Sequence, residues 1–159
     1  MSILVLGLGN ILLQDEGIGV RVVEALEAAW EMPDGVTVVD GGTAGMDMLD
    51  TIAGYTHMVV ADAVKTGAPA GTIVLLRGEE VPAFFRGKLS PHQVGLSDLL
   101  ATLALQDEAP ETVTLVGCVP YGMRTSLDMT PEMAAKVPEM VDLVVGELRH
   151  LGADPKPRE

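Results

Sequence analysis

The sequence predicts an α/β fold: a three-layer αβα sandwich on a twisted, mostly parallel, mixed five-stranded sheet. Three observations lead there. Residues 3–6, 36–39, 58–61, 72–76 and 112–116 form apolar or β-branched runs, and continuous runs mark strands covered on both faces. Segments with apolar residues at helical spacing lie between several of them, and such alternation implies a parallel sheet between helical layers. One link, "AVKTGAPAG" after Asp62, is too short and too rich in Gly and Pro for a crossover helix. The third and fourth strands are therefore expected to form an antiparallel pair.

Each element has a local reason. The first strand, Ile3–Leu6, stops at Gly7-Leu8-Gly9. Ile18, Val22, Val23, Leu26 and Trp30 then keep helical spacing. Val36–Val39 runs into Asp40-Gly41-Gly42, and Met58–Ala61 ends at Asp62. Thr72–Leu76 is the fourth strand. Leu96, Leu99, Leu100 and Leu103 predict a helix with Ser97 as its cap, and Thr112–Val116 follows as the fifth strand. Thr130-Pro131-Glu132 starts the last helix with a capping hydroxyl and a proline in its first turn. Met133, Val137, Met140, Val141, Val144 and Leu148 continue it, with a kink or restart at Pro138. These elements predict one domain over 1–151. The tail "GADPKPRE", 152–159, is expected to fray.

Composition narrows the function. At 159 residues, 48% hydrophobic and 21% charged, the chain can bury one sizeable core. Its formal net charge of −13 argues against nucleic acid and anionic membrane as partners, because both are held chiefly through Lys and Arg. The first basic residue is Arg21, unlike a secretory leader, and the lone Cys118 cannot form an internal disulfide. A cytoplasmic location is expected.

The glycine turn does not fit a nucleotide. Gly7 and Gly9 suit a dinucleotide fingerprint, but Leu12 stands at its third position, and Asp15-Glu16 would repel a pyrophosphate. No Gly-Lys-Ser/Thr follows. The glycines are read as allowing a sharp turn and the close approach of a ligand.

Ligands of open α/β sheets bind beyond the carboxyl ends of the strands. Three acids fall on that edge: Glu16 after the first strand, Asp40 at the end of the second, Asp62 at the end of the third. Taken singly each has a structural reading. Asp15 and Glu16 suit the positive end of a helix dipole, Asp40 a turn with Gly41-Gly42, and Asp62 a loop cap. Together they suggest a cation site. His92, in the loop "KLSPHQVGL", is able to complete it, since one histidine and two carboxylates make a set for a divalent metal; a loop histidine without a role is the alternative. His57, His150 and Cys118 read as structural.

Several motifs, "VLGLGNILLQDEGIGV", "DGGTAGMDML", "VVADAV", "EEVPAFF", "SPHQVGL" and "TLVGCVP", occur in an order that resembles the [NiFe]-hydrogenase maturation endopeptidases along nearly the whole chain. The resemblance implies a cytoplasmic protease, of a family often grouped with aspartic-type peptidases. It implies removal of a C-terminal extension from a nickel-loaded precursor of the hydrogenase large subunit. It places metal binding on Glu16, Asp62 and His92, catalysis on Asp62 or Glu16, and substrate recognition on Asp40, Gly41, Gly42, Thr43 and Ala44. The cation implied is the precursor's nickel, used either to polarise the scissile carbonyl or for recognition alone. Of the adjacent acids the resemblance selects Glu16, leaving Asp15 as a replaceable dipole residue. Two alternatives are a nickel-sensing assembly factor that binds the same precursor without cutting it, and a spore germination protease, against which "SPHQ" argues.

Overall fold

In the computed structural model, residues 1–42, 48–81 and 100–159 are described. All the expected strands form: β1 (Ile3–Leu8), β3 (Val36–Gly42), β4 (His57–Ala63), β5 (Ile73–Arg77) and β6 (Thr112–Cys118). They make a five-stranded sheet in the order β3-β1-β4-β6-β5. β3, β1, β4 and β6 are mutually parallel, and β5 runs antiparallel to β6.

Alternation along the strands sends successive side chains to two cores. Ile3 and Val5 of β1, with Val59, Ala61 and Ala63 of β4, join the core under α1 (Ile18–Ala29) and the C-terminal helix. Leu4, Leu6 and Leu8, with Met58 and Val60, join the opposite core. That second core takes Ile52 of α2 (Leu49–Ile52) and Leu103 of α3, whose described residues are 100–105. Asp62 falls in the alternation of Met58 and Val60, on the second face. Ser97 lies outside the described residues.

One expectation about strand pairing is corrected. β5 does not pair with β4, because β6 lies between them. The short link after Asp62 bridges the carboxyl end of β6: Val64 N donates to Cys118 O at 3.0 Å, and Gly71 N to Val119 O at 2.8 Å. It therefore reverses the chain one strand further out than expected.

The last helix is also two. Thr130 Oγ1 accepts from Met133 N at 3.3 Å and opens α4 (Pro131–Ala134), with Pro131 in the first turn. A restart then gives α5 (Val137–His150), with Pro138 in its own first turn, where a missing N–H costs little. The expected frayed tail is corrected as well. Gly152, at φ 96°, ends the helix, and β7 (Lys156–Pro157) pairs antiparallel with β2 (Trp30–Glu31). Arg158 N and Nε donate to Ala29 O and Glu27 O at 2.9 and 2.8 Å, and the Arg149 guanidinium lies 5.3 Å from the centre of the Trp30 ring. The two basic side chains tie the tail to the end of α1.

Beside Thr114 in β6, three residues before the partner of Asp62, Glu147 is buried without any signal in the sequence. It accepts from Arg77 Nε and Nη2 at 3.0 and 2.8 Å and from Thr114 Oγ1 at 3.0 Å. This joins α5 to the edge strand β5. Burial pushes the Glu147 carboxyl up, but hydrogen bonds from Arg77 and Thr114 outweigh it and hold it below the usual range.

A carboxyl depressed in the folded state stabilises above its unfolded pKa and stops doing so as pH falls through the folded value. Glu147→Gln should therefore cost about 2 kcal/mol near neutrality, less than the roughly 3–5 kcal/mol of a fully buried pair because Arg77 is half in water. Thermal melts of both proteins should converge as the pH drops into the acid range below the normal glutamate pKa.

Candidate active site

The site is built where α1 closes on the ends of β1 and β4. A Cβ at Gly7 would lie 2.4 Å from Gly19 O, and one at Gly19 would lie 2.1 Å from Ala61 O. At Gly9, where φ is 129°, it would lie 1.9 Å from Glu16 O. A Cβ at Gly17 would meet Ile11 Cα at 2.7 Å. The glycine turn thus admits the protein's own backbone, while Gly9 also lines an open cavity. The absence of side chains lets a short 3-10 turn, Gln14–Gly17, fold against the strand ends before α1 begins.

That turn carries Glu16, which is almost wholly buried, and it packs against β4. Asp62, near the end of β4, is fully buried. The register sets Gly7 of β1 between Asp40 of β3 and Ala61 of β4, so Asp62 begins the next row beyond Gly7. Both carboxylates therefore stand on elements that meet at the carboxyl edge. Asp40 is apart from them. It is exposed, alternates with Val36 and Val38 on the α1 face of the sheet, and receives Gly42 N on Oδ1 at 2.9 Å. This is the turn role expected of an Asx residue. Asp40 and Gly42 also line an open cavity of about 310 Å³ with Gly9, Asn10, Leu12 and Val20. Gly41 is buried, and a Cβ there would press on Leu6 and Leu8. Asn10 was not singled out from the sequence, and Leu12 was noted only for breaking the dinucleotide fingerprint, although both lie in the glycine turn. Thr43, Ala44 and His92 lie outside the described residues. Among the described residues, no three His, Cys, Asp or Glu side chains gather as a metal site.

Asp15 overturns its expected role. It is fully buried, and its carboxylate accepts four hydrogen bonds. Tyr121 N and Gly122 N reach Oδ2 at 2.9 and 2.8 Å; Thr130 N reaches Oδ1 and Thr130 Oγ1 reaches Oδ2, each at 2.8 Å. Backbone bonds extend the seam, from Gln14 N to Ser126 O at 3.0 Å and from Ser126 N to Leu12 O at 2.8 Å. Gln14, at φ 51°, receives Arg124 N on its side-chain oxygen at 3.1 Å. Asp15 is the anchor of the segment after β6, not a dipole residue. Its partners lie more than a hundred positions away, so no local pattern could announce it.

The remaining candidates are structural. His57 Nδ1 lies 2.6 Å from Thr112 Oγ1 across neighbouring strands. His150 ends α5. Cys118 is buried with its sulfur 3.6 Å from Met133 Sδ, and burial pushes its thiol up to about 11, which suits packing and not nucleophilic attack.

Against this geometry stand the known proteins. The hydrogenase maturation protease family model matches residues 20–147. The chain is 48% identical to the hydrogenase 2 maturation protease of Escherichia coli K12, covering 100% of this chain and 98% of that one. It is 38% identical to the hydrogenase expression/formation protein HupD of Rhizobium leguminosarum, covering 94% of this chain and 75% of that one. The solved hydrogenase maturating endopeptidase HybD from E. coli superposes with a TM-score of 0.95 at 47% identity, covering 99% and 98% of the two chains.

The two adjacent acids should separate in a melt. Asp15→Asn keeps one acceptor oxygen and turns an amide against N–H donors. With several bonds to a buried charge lost, it should cost about 3 kcal/mol or more. Glu16→Gln should cost less than half of that. Equal losses in thermal melts would show that the four contacts to Asp15 do not carry the turn.

Proposed function

Because the chain belongs to the hydrogenase maturation protease family and is a peptidase, we propose that it removes the C-terminal extension of a [NiFe]-hydrogenase large-subunit precursor after nickel insertion. The observation that carries this reading is the end-to-end likeness, in sequence and fold, to a hydrogenase 2 maturation protease. It favours cleavage over the non-cutting assembly factor. The reaction belongs in the cytoplasm.

Nickel enters as part of the substrate. Glu16, Asp62 and His92 are its ligands from this chain, a set of two carboxylates and an imidazole suited to a divalent ion. Three supports stand behind the set. Glu16 and Asp62 lie on elements that meet at the carboxyl edge. Asp62 alternates onto the second face of the sheet. Val81 and Leu100, the described residues that flank the segment containing His92, pack against the core on that same face. A set without thiolates holds a free divalent ion weakly, so the loaded precursor, which brings ligands of its own, binds better than the ion alone.

Hydrolysis then needs a base. Water attacks the scissile carbonyl carbon, the amide C–N bond breaks, and the water's proton passes through a carboxylate to the departing amine. Asp62 or Glu16 serves as that carboxylate. The ion marks the loaded state, and a carbonyl oxygen within its reach is polarised. Asp40, Gly41, Gly42 and Thr43 receive the substrate chain beside the cavity that Asp40 lines.

Glu16→Gln, Asp62→Asn and His92→Ala should each slow precursor shortening by about 100-fold or more. The assay compares equal concentrations of folded protein, checked by thermal melts. Normal processing by any one of them removes that residue from the site.

Nickel dependence is tested apart from the residues. In a chelated assay, nickel-free precursor should stay at full length while nickel-loaded precursor is shortened. Rapid cleavage of the nickel-free form would overturn the role given to the ion.

A further inference from the structure

Six large apolar side chains are exposed among the described residues; the Tyr121 ring lies over Gly71, and three others, Leu12, Met123 and Leu127, fall on the two segments that Asp15 joins. Leu12 is 55% and Leu127 57% exposed. The segments follow β1 and β6 and so emerge at the carboxyl edge, beside Glu16 and Asp62. Apolar groups that cluster on one edge of a small acidic protein mark an interaction surface.

Resting on the function proposed above, we propose that this strip is the docking surface for the body of the large-subunit precursor. Continuity with the site is one ground. Leu12 belongs both to the strip and to the cavity that holds Asp40 and Gly42, so a protein seated on the strip presents its chain end to that cavity. Charge is a second. The chain carries a net charge of −13, which opposes pairing of two copies across this face. The cations Arg21 and Arg124 stand within the same seam, Arg21 Nη2 donating to Leu127 O at 3.0 Å. Rigidity is a third. Bonds from Ser126 N to Leu12 O and from Gln14 N to Ser126 O, with the four contacts to Asp15, set the strip's backbone in advance. Preorganised apolar surface binds with less loss of freedom.

The test is a double variant, Met123→Ser with Leu127→Ser, which leaves every named site residue in place. Affinity for purified nickel-loaded precursor is measured by calorimetry, and shortening of the same precursor by steady-state kinetics. The expected result is a Kd and a KM raised about tenfold or more, a kcat within about twofold, and an unchanged melting temperature, as for removal of interface anchors. Unchanged Kd and KM overturn the docking surface. So does a wild-type dimer in sedimentation that the variant dissociates, since the strip would then join two copies of this chain. Wild-type protein that binds the precursor but never shortens it overturns the proposed function alone; the Kd comparison still decides the strip. Wild-type protein that does not bind overturns both.

Discussion

The structure depends on one steric constraint: the amino-terminal end of α1 lies against the ends of two strands with no room for side chains between them. At Gly7, Gly9, Gly17 and Gly19 an added Cβ would fall between 1.9 and 2.7 Å from backbone atoms. Such distances are not relieved by turning a side chain, because the atoms met belong to the main chain. The glycines therefore act as a set. They seat the turn that carries Glu16 on the end of β1 and bring that turn against β4, beside Asp62. The space that a side chain would take at each of these glycines is filled by the protein's own backbone, and acids stand on the same edge.

Two neighbouring carboxylates divide the work that follows. Asp15 accepts four hydrogen bonds inside the protein, from Tyr121, Gly122 and both donor groups of Thr130. A buried charge satisfied in this way holds a segment that has little secondary structure of its own. Glu16, one residue on, remains at the edge. The same anchoring of Asp15 fixes the exposed strip around Leu12 and Leu127.

The two ends of the sheet differ in kind. Toward the amino end of β6, Glu147 is closed by Arg77 and Thr114 into a complete ion pair that ties α5 to the edge strand. At the carboxyl end, acids stand on strand ends and on the turn beside an open cavity. Buried charge serves cohesion at both ends, through Glu147 at one and Asp15 at the other.

The sequence by itself determined the strands, the helix after the first strand, the start of the last helical segment and the edge on which the acids fall. These follow from local causes: apolar runs, helical spacing, Thr130-Pro131 as a helix start, and acids placed directly after strand ends. The ordered motifs also pointed to the protease family that the comparisons then showed. Only the tertiary structure decided what depends on distant partners. It placed β6 between β4 and β5, because the link after Asp62 bonds across the end of a strand that comes some forty residues later. It bound the tail to Trp30 and Glu31, turned Asp15 from a dipole residue into an anchor, and buried Glu147 against Arg77, 70 positions away. It also gave the glycines their reason, since the atoms that crowd them belong to another turn of the chain. Local pattern reports what a segment prefers; which segment it meets is set by packing between elements far apart in the chain.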